Sequence, residues 1–260
     1  MSAYQRRYNP NRSPEWNYGG GKWKLSRSKI DLFIECPRCF YLDNKLGTKR
    51  PSIPSFNLNI AVDELFKKEF DTYRTQQAPH PIMTAGGVEA VPFAHTELNN
   101  WRDPFVGIMY RDPVTDLLVS GGVDDIWITP QQELLVVDYK ATSKEGTIAS
   151  LEDSAWKEQY VRQIGVYQWL LAKNDFSVSS TGYFVYANAL ITPETFADTL
   201  HFETTLIPCL GKTDWIEPKL QEIKTCLDSE MYPESSHDCE YCAYRAACGQ
   251  KLLTIKRTHG

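Results

Sequence analysis

The sequence predicts an α/β fold, a sheet flanked by helices, and three observations predict it. Residues 104–142 hold three strand-like runs, PFVGIMYRD, DLLVSGGVDDIWIT and QELLVVDYKAT, separated by the turn signals DPVTD and TPQQ, and they read as a β-meander. On either side, NLNIAVDELFKKEFDTYR and SAWKEQYVRQIGVYQWLLAKN repeat their apolar residues at helical spacing. With 260 residues, 42% of them hydrophobic, the chain can enclose one large core or two modest ones.

Taken in order, residues 1–24 are polar and rich in Gly, Pro, Asn and Arg, and are expected as a disordered or draped basic arm. Ser28 and Asp31 then form a capping-box-like start, and Ile30, Phe33 and Ile34 recur at helical spacing before Pro37, giving a short helix that ends at a cysteine. After the Pro-rich KRPSIPSF, the residues Leu58, Val62, Leu65, Phe66, Phe70 and Tyr73 make one apolar stripe on a second helix. Residues 75–100 read as irregular, with a short strand near 88–93. The helix that follows the meander carries Trp156, Tyr160, Ile164, Tyr167 and Leu171 on one face. Two further strands, TGYFVYANAL and FADTLHFETTLI, and a helix near 212–229 precede HDCEYCAYRAACGQ, read as a thiol-rich loop, and a tail over 251–260.

No run of eighteen apolar residues occurs, and the first twenty residues lack the apolar stretch of a signal peptide, so a cytoplasmic protein without membrane contact is expected. Seven cysteines, an odd number, then read as reduced thiols or metal ligands rather than as a disulfide framework. The net charge of -5 conceals an asymmetry: residues 1–50 hold 11 Lys+Arg against 4 Asp+Glu, and the remainder is acidic. In that basic front end Lys22, Lys24, Arg27, Lys29, Arg38, Lys45, Lys49 and Arg50 are interleaved with Trp16, Tyr18, Trp23 and Tyr41. Cations that track phosphates and aromatics that stack on bases suit single-stranded nucleic acid; a solvated face over core aromatics has the same composition.

The strand ELLVVDYKATS raises the chemical question. Side chains alternate along a strand, so Asp138 and Lys140 share a face while Tyr139 points the other way. Burying an unpaired charge costs on the order of several kcal/mol, so the two are either an ion pair or part of a site. One strand earlier, Asp124 and Asp125 interrupt an apolar run after Gly121 and Gly122. Antiparallel neighbours lie about 5 Å apart, which lets one acid from each strand converge on a single cation. Oxygen donors of this kind suit magnesium or manganese, and Lys140 beside them can stabilise negative charge developing on an attacked phosphate.

This order of residues resembles the PD-(D/E)XK nuclease superfamily, and its RecB-like branch in particular. Gly121-Gly122-Val123-Asp124 matches the Gly-x-x-Asp strand, Asp138-Tyr139-Lys140 the acid-x-Lys strand, and Gln163 with Tyr167 the branch's Gln-x-x-x-Tyr helix. The resemblance spans roughly residues 26–250. It implies a restriction-endonuclease-like core with a mixed central β-sheet, a single nuclease domain over 25–250, and a metal-dependent deoxyribonuclease acting as an exonuclease on single-stranded DNA ends. Asp124 and Asp138 would hold Mg2+ or Mn2+, with Asp63 and the backbone carbonyl of Tyr139 as further ligands; Lys140, Gln163 and Tyr167 would complete the catalytic set. Asp124 is preferred over Asp125 because it follows the apolar Val123, as in the family. Asp63 stands where the branch commonly has a metal-binding His, a departure that also leaves room for a DNA-binding or assembly module without turnover.

Cys36 near one end and Cys239-x2-Cys242-x5-Cys248 at the other resemble the iron-sulfur nucleases of this branch, the AddB nuclease domain and the CRISPR adaptation exonuclease family. On that resemblance Cys36, Cys239, Cys242 and Cys248 would hold a [4Fe-4S] cluster joining the two ends. The two CxxC pairs taken alone suggest Zn2+ instead, with Cys39 in place of Cys248. Cys209 and Cys226 sit in apolar contexts and are expected in the core. DNA is the partner implied, together with other DNA-processing proteins, whether in repair, recombination or adaptation.

Overall fold

Leu134, Leu135, Val136 and Val137 are apolar on both sides of the strand they begin, the pattern of a strand covered on both faces. In the computed structural model, which describes residues 12–51, 56–151 and 157–258, that strand is central. The elements run β1 (Leu25–Ser26), α1 (Arg27–Glu35), α2 (Pro37–Asn44), α3 (Asn57–Gln76), α4 (Pro81–Ala85), β2 (Val91–Pro92), α5 (Leu98–Arg102), β3 (Ile108–Arg111) and β4 (Leu118–Gly121). They continue with β5 (Asp125–Ile128), β6 (Leu134–Thr142), α6 (Lys157–Lys173), β7 (Thr181–Ala189), β8 (Phe202–Leu210), α7 (Ile216–Asp228) and α8 (Glu240–Thr258). Two compact units result: Met1–Pro54, Asp112–Leu118 and Glu217–Gly260 form one, Ser55–Arg111 and Val119–Ile216 the other.

The second unit contains the main sheet, in the order β2-β5-β6-β7-β8. It is mixed: β6 runs antiparallel to β5, with Val137 opposite Asp125, and parallel to β7, with Asp138 opposite Phe184. Leu135, Val137 and Tyr139 point to one face, where with Trp127 and Val185 they pack on Phe70 of α3 and Met83 of α4. Phe70, Trp127, Val137 and Val185 are fully buried, and each such large side chain contributes about 1.5–3 kcal/mol. Residues of the alternate register face α6, where Ile164 packs so closely on Gly182 that a Cβ there would lie 2.8 Å from its methyl group.

The expected meander is broken. The run DLLVSGGVDDIWIT parts into two strands: β4 pairs with β3 in a separate small sheet, and β5 joins the main one. Gly121 lies against the Tyr167 ring, where a Cβ would come within 2.8 Å, and Gly122 lies close to the Pro104 backbone. Two glycines permit these approaches, and the chain bends there instead of continuing a ladder. The apolar stripe of α3 is also only half used, for Phe70 is buried while Leu58 and Leu65 are 56% and 62% exposed.

In the first unit Pro37 does not merely end a helix. It occupies the first turn of α2, where its missing N–H leaves no donor unsatisfied, so a second helix starts directly after Cys36. The capping box does not form either: Ser26 is the N-cap of α1, and Asp31 pairs with Arg27 at 2.7 Å. Residues 12–24 are draped on the unit, with Arg12 paired to Asp43 at 2.8 Å, Trp23 Nε1 donating to Asn44 Oδ1 at 3.1 Å, and Tyr18 OH donating to Asp228 at 2.7 Å. Residues 1–11 and Trp156 lie outside the described residues. Among the described residues no helix is long and apolar enough to cross a membrane.

Candidate functional site

Strand alternation puts Asp138 and Lys140 on the α6 side of β6, and the helix meets them with Gln163. Gln163 Nε2 donates to Asp138 Oδ1 at 2.7 Å, Lys140 Nζ donates to Asp138 Oδ2, and the same ammonium lies 3.4 Å from Gln163 Oε1. One helical turn on, the Tyr167 hydroxyl accepts from Gln163 Nε2 at 3.3 Å. The Lys140 ammonium also sits 5.2 Å from the Tyr160 ring centroid and 5.5 Å from that of Phe184, so both aromatic faces help to fix it.

Asp124, just ahead of β5, reaches this group from the neighbouring strand. Its Oδ2 accepts the Tyr139 backbone amide at 2.9 Å. Burial, and then the charge of Asp138, push its carboxyl up to about 7. Burial by itself would lower Lys140, but the two carboxylates outweigh it and the ammonium is held charged. Tyr139 therefore offers the site its main chain, while its side chain lies on the opposite face of the sheet.

There the neighbouring acid has a different task. Asp125 is fully buried, accepts from Arg74, from Arg102 at 3.0 Å and from the Tyr139 hydroxyl at 2.7 Å, and Arg102 Nε also donates to the Asp124 carbonyl at 3.0 Å. The Asp-Asp doublet thus divides, one carboxylate toward Asp138 and the other into an arginine brace that holds the peptide around Asp124. Arg74 and Arg102 were not singled out from sequence, since nothing local to them indicates a partner about fifty or twenty residues away.

Asp63 approaches from α3 and is half-buried. Burial and then the Asp124 charge raise its carboxyl. Lys67, one turn further along the helix, pairs with it at 2.6 Å. Lys67 also escaped the sequence reading, although its i,i+4 spacing from Asp63 is a local signal. The chemistry of the donor set fits a hard divalent cation: two to three carboxylates and a strand backbone, all oxygen, with like charges that a cation would reconcile.

The cysteine centre lies within the first unit. The sulfurs of Cys36, Cys39, Cys239 and Cys242 all fall within 4.8 Å of one another, with 3.8 Å between Cys36 and Cys242 and 3.6 Å from Cys39 to each of Cys239 and Cys242. Cys248 is not in this group, and Cys39 takes the place expected for it. The reason is local: the segment expected as a loop is α8, and six residues of helix carry Cys248 about 9 Å along the axis from Cys242. Arg50 lies beside the group, 3.6 Å from Cys239 Sγ and 4.6 Å from the Tyr241 ring centroid. Cys209 is buried in β8, as expected of a packing residue, while Cys226 in α7 is only half-buried.

Residues 60–249, a span that contains Asp63, Asp124, Asp138, Lys140, Gln163 and Tyr167, match the model of the PD-(D/E)XK nuclease superfamily. The chain belongs to that superfamily. PD-(D/E)XK nucleases hydrolyse phosphodiesters of DNA with divalent metals, and the mixed sheet with its acid-x-Lys strand is the frame on which this one carries its acids. Among solved structures, the crystal structure of SSO0001 is similar over 85% of this chain and 91% of its own, at 12% identity and a TM-score of 0.31. No curated protein matches the chain.

In this PD-(D/E)XK protein the raised Asp124 carboxyl has a consequence for stability. A folded-state value of about 7 against an ordinary 3.8 means that the metal-free fold loses stability as pH rises between them. Asp124→Asn keeps an acceptor for the Tyr139 amide and removes the charge. The metal-free variant is expected to unfold at higher urea than the parent at pH 8, with the difference shrinking toward pH 4. A variant less stable than the parent at pH 8 contradicts this.

Proposed function

We propose that the protein is a metal-dependent deoxyribonuclease of the RecB-like branch, acting as an exonuclease on single-stranded DNA ends. The observation that carries this reading is the convergence of Asp124, Asp138, Lys140 and Gln163, with Tyr167 behind Gln163, from two neighbouring strands and the next helix. Asp124 and Asp138 would hold Mg2+ or Mn2+, with Asp63 and the Tyr139 carbonyl as further ligands. When bound, the ion supplies Lewis-acid stabilisation of the phosphoryl oxygen and a more acidic water. Lys140, held between Asp138, Gln163 and two rings, presents a fixed positive charge to the phosphate as negative charge builds on it. Gln163 ties Lys140 to Asp138, and Tyr167 anchors Gln163.

The preference for single strands rests on the basic, aromatic front end. Part of that set is engaged internally: Arg38 donates to the Pro233 carbonyl at 2.9 Å and Lys45 to that of Ser229 at 2.6 Å. Trp16, 44% exposed with Lys22 5.3 Å from its ring, keeps a face for stacking. The test is incubation of end-labelled single- and double-stranded DNA with Mn2+. Progressive shortening of the single strand ahead of the duplex supports the reading. Binding without cleavage of either, under Mg2+ and Mn2+ alike, supports instead the DNA-binding module that Asp63 in place of a His motivates.

For the cysteine centre, the separations favour the zinc alternative over a [4Fe-4S] cluster. Four thiolates about 2.3 Å from one tetrahedral ion stand about 3.8 Å apart, which fits the 3.6–3.8 Å of three of the six pairs and the 4.8 Å within which all of them fall. A four-iron cube would hold its thiolates further apart than that.

A further inference from the structure

Asp124 stands one residue ahead of β5, and the ladder to β6 begins only with Asp125, so the sheet does not fix the Asp124 main chain. The short helix α5 holds it instead. The Trp101 carbonyl accepts the Val123 amide at 3.0 Å, and the next residue, Arg102, donates from Nε to the Asp124 carbonyl at 3.0 Å. The helix is itself well seated: Leu98 and Trp101 are buried, and the Trp101 ring stacks on His95 at 4.4 Å and meets Phe176 edge-on at 5.5 Å between centroids. The other donors of Arg102 are also engaged. Its Nη1 reaches both oxygens of Asp71 at 2.9 and 3.1 Å, and its Nη2 reaches Asp125 Oδ1 at 3.0 Å. Arg74 binds the same two carboxylates but turns its Nε to the Phe93 carbonyl at 2.8 Å. Two guanidinium groups and two carboxylates thus close a charge-balanced ring on the face of the sheet opposite Asp138, and of the two arginines it is Arg102 that connects the ring to Asp124.

We propose that Arg102 is a positioning residue of the metal site: by holding the Asp124 carbonyl it fixes the direction of the Asp124 carboxylate, and with it the affinity for the divalent cation. The inference rests on the metal-site reading above. A carboxylate on an irregular segment must give up main-chain freedom when it ligates an ion, and a donor already bound to its carbonyl removes part of that cost. The carboxylate is then held from two directions, by Arg102 through the main chain and by the Tyr139 amide on Oδ2 at 2.9 Å. Asp125 couples the two, because it accepts from Arg102 and, at 2.7 Å, from the Tyr139 hydroxyl. A planar guanidinium suits this task, since it presents donors to three separate acceptors at fixed angles, which an ammonium on a flexible stem does not.

The experiment measures the Mn2+ affinity of the full chain, its cysteine centre filled, from the electron paramagnetic resonance signal of free Mn2+ during titration, beside the urea midpoint of each protein without Mn2+. Arg102→Met and Arg74→Met form the decisive pair, because both break the ring and both are expected to lower the urea midpoint. Arg102→Met is expected to weaken Mn2+ binding about 10–100-fold, the usual cost of losing a partner that orients a metal ligand. Arg74→Met is expected to weaken it by a few-fold at most, since the Asp124 carbonyl keeps its donor. If circular dichroism shows that Arg102→Met does not fold, Arg102→Lys replaces it with the same expectation: lysine keeps the charge balance but puts a methylene where Nε stands. Parental affinity in the Arg102 variant overturns the proposal. Equal losses in the Arg102 and Arg74 variants also overturn it, because the ring then acts only as a structural support. Mn2+ binding that survives Asp138→Asn lies elsewhere and removes the metal-site reading itself, whereas binding that needs Asp138 but not Arg102 removes this inference alone.

Discussion

Lys140→Met is expected to slow DNA cleavage about 10²–10³-fold, the loss that follows removal of one preorganised charge from a buried site. Methionine preserves the stem between Tyr160 and Phe184, so what is removed is the ammonium that binds Asp138 and contacts Gln163. The effect should fall on kcat, because the charge is needed most as the phosphate becomes more negative. Lys140→Arg is not expected to rescue fully, since a planar guanidinium cannot take the place of a compact ammonium between two rings and two polar partners. Single-turnover rates with saturating Mn2+ and labelled single strands provide the measurement. A Met variant that cleaves at the parental rate would leave the pair Asp138–Lys140 as a structural ion pair and remove the mechanism.

Cys39→Ser is expected to cost the first unit its metal and its stability, whereas Cys248→Ser is expected to cost neither. Structural zinc in small thiolate sites contributes on the order of 10 kcal/mol or more at neutral pH, so losing one of four ligands outweighs any single packing change. The contrast rests on geometry: Cys39 Sγ lies 3.6 Å from two other sulfurs, while Cys248 lies almost two helical turns beyond Cys242. Metal content by elemental mass spectrometry and thermal unfolding of the three proteins give the result. Zinc in a colourless parent agrees with the sulfur separations; iron in a brown one would favour the cluster that the family resemblance implies, and dependence on Cys248 would restore it as a ligand.

Periodicity made much of this legible before any coordinates. The alternation in LLVVDYKAT set Asp138 and Lys140 on one face, and the four-residue interval put Gln163 and Tyr167 on one side of α6. The rule that neighbouring side chains on a strand diverge also separated Asp124 from Asp125, and their partners do lie on opposite sides. What escaped depended on contacts that no local pattern encodes. Gly121 and Gly122 read as interruptions within one strand, yet they divide it between two sheets because Tyr167 and Pro104 come close from distant parts of the chain. Arg74 and Arg102 carry no local signal of their role, which is to bind Asp125 from two different elements. The ligand set Cys36, Cys239, Cys242 and Cys248 followed from the family resemblance, whereas the structure brings Cys39 to Cys36, Cys239 and Cys242, and the helical rise of α8 separates Cys248 from Cys242.

The placement of the four thiols has a consequence for the order in which the protein is made. Cys36 and Cys39 leave the ribosome early, whereas Cys239 and Cys242 follow only after every strand of the main sheet has been synthesised. Domains fold largely as they emerge, so the sheet carrying Asp124 and Asp138 can form while the first pair of thiols is still waiting. A metal held by all four thiols would then be captured late, only once synthesis has passed residue 242.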